Sequence, residues 1–119
     1  MHTELLEKIK EFNADRNWEK YHSPKNLAMS VLIESAELAE IFQWLTEEES
    51  RKPGERAVIH AGEEIADVLI YLLNLSDKLG IDPFEAAFRK LEINRRKYPA
   101  HLSRGSSLKY SELGRNEDD

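Results

Sequence analysis

The chain contains no cysteine, which excludes disulfides and thiolate metal sites and fits a reducing compartment. It also lacks any apolar run long enough to span a bilayer. Its first segment, MHTELLEKIKEF, is amphipathic and mixed in charge, unlike the apolar core of a signal peptide. The chain therefore reads as soluble and cytoplasmic, with no membrane partner. A large basic block is missing too, and the net charge is -6, which argues against a general nucleic-acid binder. Alternating strand patterns are absent, and the four prolines and five glycines fall mostly between apolar runs of helical spacing.

What is present is a short helical chain. Its 119 residues make one domain, and a chain of this size buries a limited fraction of its surface, so oligomerisation is expected. The spacing predicts helices over about 3–16, 24–47, 55–79 and from Pro83 to just before Pro99. Ser23-Pro24 supplies a cap and a first-turn proline, and Asp82-Pro83-Phe84-Glu85 reads as a capping-box start. The stretch TEEESRKPGER (46–56) is a linker by composition, and Gly80 is a C-terminal stop. Four helices with short connections predict an all-α antiparallel four-helix bundle. The domain is expected over residues 1–113, including a polar C-terminal arm, with 114–119 a disordered tail.

Two acidic pairs carry the chemistry. Glu34 with Glu37, and Glu64 with Asp67, each lie at i, i+3 inside an apolar helical run, so each pair puts two carboxylates on one side of a helix. Carboxylates held close repel, and a hard divalent cation with oxygen ligands, Mg²⁺ or Mn²⁺, is the natural partner. Such a cation reconciles a chain of charge -6 with a phosphate substrate. Glu63 competes with Glu64 for the inward position, Glu40 reads as exposed or supporting, and His60 as an incidental surface residue.

The residues resemble the all-α MazG-like nucleoside triphosphate pyrophosphohydrolases, whose ExxE…ExxD pattern appears here as Glu34-Ser-Ala-Glu37 and Glu64-Ile-Ala-Asp67. RNWEKYHSPKNLA (16–28), ESAELAEIFQWLT (34–46), EEIADVLIYLLNL (63–75), INRRKYPAHL (93–102) and SSLKYSEL (106–113) look like the dCTP pyrophosphatase branch. Ile9 departs from the histidine expected in animal members. If that histidine helps to bind the base, base preference is altered.

The resemblance implies Mg²⁺-dependent hydrolysis of a deoxynucleoside triphosphate, dCTP first, to monophosphate and pyrophosphate. It also implies a homo-oligomer, a tetramer rather than a dimer, with sites near subunit interfaces. Glu34, Glu37, Glu64 and Asp67 would hold the metal, with Glu37, or else Glu34, as the base that activates water. A base needs a flat apolar slot, for which Trp18, Trp44 and Tyr71 are the candidates, with His22 and, more weakly, Asn74 as hydrogen-bonding neighbours. Lys25, Asn26, Lys90, Asn94, Arg95, Arg96, Lys97, Arg104 and Lys109 are available to hold phosphates, and Tyr98, which with Pro99 ends the fourth helix, is a further substrate-binding candidate; Arg95, Arg96 and Lys97 serve equally well as charges complementing a helix dipole. Two alternatives remain open: the same chemistry on dUTP, dATP or another nucleotide, and a non-catalytic helical oligomer whose acidic clusters bind cations structurally.

Overall fold

The computed structural model of the protein describes residues 2–105. The run 106–113, with Lys109, and the tail at 114–119 lie outside the described residues. Among the described residues every regular element is helical, so the all-α class expected from the spacing holds. Four long helices appear: α1 (His2–Asp15), α2 (Pro24–Phe42), α4 (Glu55–Lys78) and α5 (Pro83–Lys97). Two short ones, α3 (Glu47–Arg51) and α6 (Ala100–Ser103), and a 3-10 turn at Glu19–Tyr21 complete the set. The chain divides into two compact units, one ending at Ile81 and one beginning at Asp82.

In the first unit α2 packs along α4, and α1 lies against α4 through a smaller contact. His22, just before α2, bonds Asn74 late in α4, whereas Glu34 and Glu37 meet Glu64 earlier in α4. The two helices therefore run antiparallel. Leu27 is the most deeply buried large side chain (1% exposed), joined in the core by Ile9, Ala61 and Leu73. Burying one such leucine contributes roughly 1.5–3 kcal/mol. Lys10 pairs with Asp77 at 3.3 Å, and Lys78 pairs with Glu19; exposed pairs of this kind add little.

Local signals explain where the helices stop. Asn17 takes a left-handed φ of 54°, and Trp18 N–H donates to the Asn13 carbonyl at 3.0 Å, which ends α1 as an αL cap. Ser23 Oγ accepts from Asn26 N–H at 3.2 Å with Pro24 behind it, opening α2.

The second helix is shorter than expected. It ends at Phe42 rather than near residue 47. Thr46 Oγ1 accepts from Glu49 N–H at 3.1 Å, and Thr46 N–H donates to Glu49 Oε1 at 2.9 Å. This reciprocal capping box starts α3 inside the stretch that composition marks as a linker. Gly54, at φ 93°, then opens α4, and Gly80, at φ 68°, closes it. In the second unit Asp82 Oδ1 accepts from Phe84 and Glu85 N–H at 3.0 and 3.2 Å, setting the start of α5.

Candidate functional site

Helices α2 and α4 bring three carboxylates together. Glu34, Glu37 and Glu64 each offer an oxygen within 4.8 Å of the others. Glu34 and Glu64 are half-buried and Glu37 is exposed. Glu34 Oε2 and Glu64 Oε2 are buried without a hydrogen-bond partner among the described residues, an arrangement unfavourable for anions unless something positive joins them. Burial raises the Glu34 pKa most, and hydrogen bonding to Glu37, repulsion from Glu37 and Asp67 and hydrogen bonding to Glu64 add to it, lifting it from 4.5 to about 7. The donor set is all oxygen, and the group fits a hard divalent cation.

Asp67, the fourth expected ligand, is not in that triplet, but its charge reaches Glu34. Glu64 rather than Glu63 is the inward partner: Glu63 is exposed. His60, read from the sequence as incidental, sits one turn before Glu64 with Nε2 at 3.4 Å from Glu64 Oε1. With Glu37, Glu40 and Ile41 these two line a cleft of about 360 Å³ over the carboxylates. The i, i+4 spacing of His60 and Glu64 was the signal that could have placed it.

A second cleft, of about 370 Å³, begins at Asp67. Helix α4 contributes Asp67, Ile70, Tyr71 and Asn74 to its wall. The turn after α1 supplies Trp18 and His22, and α1 supplies Lys8, Ile9, Phe12 and Asn13. The Trp18 ring meets Phe12 edge-on at 5.6 Å and His22 at 6.5 Å, and Asn74 Nδ2 lies 3.1 Å from His22 Nδ1. The structure thus gathers Trp18, His22, Tyr71 and Asn74 in one place. Lys8, Phe12 and Asn13 were missed, because α1 looks like an ordinary amphipathic helix until its contact with α4 is known. Ile9, the departure noted above, forms part of the apolar wall.

The other expected residues lie elsewhere. Trp44 follows the end of α2 and is 86% exposed in the single chain, so it takes no part in packing the helix. Lys25 is exposed in the first turn of α2, and the Asn26 side chain donates to the Tyr21 carbonyl at 3.0 Å, bracing the turn. Asn94, Arg95, Arg96 and Tyr98 belong to the second unit. There Arg95 grips Glu92 through two hydrogen bonds of 3.1 and 2.6 Å, with Arg96 Nε at 3.9 Å from the same carboxylate. Tyr98 caps α5, its N–H donating to the Asn94 carbonyl. Among the described residues no helix is long and apolar enough to cross a membrane.

Comparison with known proteins finds relatives of the whole fold. The MazG-like family model matches residues 29–113. The chain is 49% identical over 107 residues to dCTP pyrophosphatase 1 of Homo sapiens, and 46% identical over 107 residues to the Bos taurus protein of the same name. Each match covers 87% of this chain but only 62% of the relative, so the chain spans less than two thirds of these curated relatives. A crystal structure of a pyrophosphatase from Archaeoglobus fulgidus superposes with a TM-score of 0.79 at 55% identity, covering 82% of this chain and 92% of that one.

Proposed function

The chain belongs to the MazG-like family, and from that premise we propose that it is a nucleoside triphosphate pyrophosphohydrolase converting dCTP to dCMP and pyrophosphate. The observation that carries the reading is the Glu34–Glu37–Glu64 triplet within 4.8 Å, joined through Asp67 to an aromatic cleft. The triplet suits the phosphate end of such a substrate, and the cleft suits the base. The relatives named dCTP pyrophosphatase 1 support the choice of base.

Glu34, Glu37, Glu64 and Asp67 are the residues to hold Mg²⁺, with Mn²⁺ a chemically acceptable substitute. When bound, the cation supplies neutralisation of the charge on the phosphate oxygens as the leaving group departs. Glu37 is the exposed member of the triplet, so a water can reach it; it orients that water and accepts its proton. The water oxygen bonds the α-phosphorus, the bond to the α–β bridging oxygen breaks, and pyrophosphate leaves. Trp18 and Tyr71 flank the base, and His22, held by Asn74, adds a hydrogen-bonding edge. Lys8 is the cation at the cleft, and Lys25 and Asn26 stand at the start of α2 as candidates for the phosphates. Asn94, Arg95, Arg96 and Tyr98, which belong to the second unit, stay candidates for substrate binding on the resemblance alone.

The active form is a homo-oligomer, a tetramer in preference to a dimer. Apolar side chains on α2 and α4 support this, among them Leu32 at 71% and Ile59 at 59% exposure. Trp44, almost fully exposed, is free to cover the cleft of a neighbouring subunit.

The test is a panel of canonical and methylated deoxynucleoside triphosphates with Mg²⁺, scored for pyrophosphate release, with chelator as control. Turnover should need the cation and favour dCTP, and Glu37→Gln should abolish it while leaving fold and assembly intact. If metal-replete protein turns over no triphosphate, the proposal fails. If Glu37→Gln mainly lowers the melting temperature of a protein without activity, the cluster is a structural cation site.

A further inference from the structure

Asn13 is 4% exposed, and its Nδ2 has no hydrogen-bond partner among the described residues. It lines the aromatic cleft beside Trp18 and Tyr71. A buried amide donor left unmade is unfavourable to the fold and calls for an explanation. Asn13 is also held where it is: its carbonyl accepts from Arg16 N–H at 3.3 Å and from Trp18 N–H at 3.0 Å. The last turn of α1 is therefore tied directly to the backbone of Trp18, whose ring flanks the cleft. The other buried amide of the cleft, Asn74, already has a partner in His22. Of the two, Asn13 Nδ2 is the one with no partner among the described residues.

We infer that Asn13 is a specificity-determining residue whose Nδ2–H donates to an acceptor on the edge of the nucleobase held in the cleft. The inference rests on the proposed activity and adds to it a residue that reads the base. Cytosine qualifies as the ligand because its O2 and N3 are both acceptors. A buried donor facing N3 discriminates among pyrimidines, since N3 accepts in cytosine but carries a hydrogen in uracil and thymine, which would leave the amide unpaired. The arrangement also accounts for an unfavourable buried group in the free protein: it is met only when the ligand is present.

The experiment compares the full-length chain with Asn13→Ala, Asn13→Asp and Asn13→Leu. Asn13→Asp keeps the shape and removes the donor. Both Asn13→Ala and Asn13→Asp should raise KM for the preferred nucleotide roughly 10–100-fold, as expected for one lost buried hydrogen bond, with kcat changed little and the preference among bases flattened. Asn13→Leu fills the same volume without an orphan donor, so it should raise the melting temperature of ligand-free protein by about 3–10 °C. Wild-type KM and base ranking in folded Asn13→Asp would overturn the inference and leave the proposed activity standing. So would a marked drop in the melting temperature of Asn13→Leu, which would mean that the amide is satisfied within the fold. If the wild type hydrolyses nothing, the activity fails on its own, and the inference is decided by isothermal titration calorimetry with deoxycytidine. Binding by the wild type that is weakened at least about tenfold in Asn13→Ala upholds it, and equal or absent binding overturns it.

Discussion

Glu34→Gln should make the metal-free protein more stable and the metal-loaded protein less so. The Glu34 carboxyl has its pKa lifted from 4.5 to about 7, by burial first and then by Glu37, Asp67 and Glu64. That rise corresponds to roughly 3 kcal/mol at 1.36 kcal/mol per tenfold change in proton affinity. Coulomb repulsion is of the same order: two unit charges no more than 4.8 Å apart repel by at least about 3.5 kcal/mol at an effective dielectric of about 20. Glu37 is exposed and solvent screens the group, so about 1–2 kcal/mol is the working figure. For a chain of this size that is a rise of about 5 °C in melting temperature. The sign follows from linkage. The folded state keeps the Glu34 proton after the unfolded chain has lost its own, so wild-type stability falls as pH rises from 4.5 to about 7 and is flat above. The advantage of Glu34→Gln in chelator should open across that window and be complete by pH 8. Added Mg²⁺ should then stabilise the wild type and reverse the order. Differential scanning calorimetry at pH 4, 6 and 8, with chelator or Mg²⁺, reads all of this. No gain for the variant at pH 8 in chelator, or an equal gain at pH 4, would refute charge repulsion as the cause.

Three other perturbations have definite outcomes. Trp44→Ala should leave the melting temperature unchanged, since the ring is 86% exposed in one chain, yet raise KM roughly 5–100-fold if the ring stacks on the base in an adjacent subunit; steady-state kinetics beside calorimetry checks both. Leu27→Ala should cost about 2–5 kcal/mol in urea unfolding without changing which base is preferred. Gly80→Ala should cost about 1 kcal/mol in the same assay, because at φ 68° the strain lies in the backbone and a Cβ there would meet no atom within 4 Å.

The helical class was readable because its causes are local. Apolar spacing, Ser23-Pro24, Asp82 and Gly80 each act within one or two turns, and each does in the structure what its chemistry dictates. The end of α2 was misread for a related reason. A run of three glutamates suggests a solvated helix end, whereas Thr46 and Glu49 form a reciprocal cap that begins a new helix. Glu34, Glu37 and Glu64 could be picked out because three carboxylates in apolar runs violate the pattern that packing alone would set. Asn13 could not, since one asparagine near a helix end reads as a cap until the burial of its side chain is known.

From its order of residues alone, this protein determines that it is helical, where most helices start and stop, and which acids stand among apolar neighbours, all being matters of short-range geometry. Only the antiparallel seating of α2 on α4 decides that Glu64 rather than Glu63 meets Glu34 and Glu37, and only the contact of α1 with α4 turns Phe12, Asn13 and Trp18 into one wall of a cleft. Rotation of one helix about its axis relative to another sets which side chains meet, and that angle is chosen by the whole packed interface rather than by any segment within it.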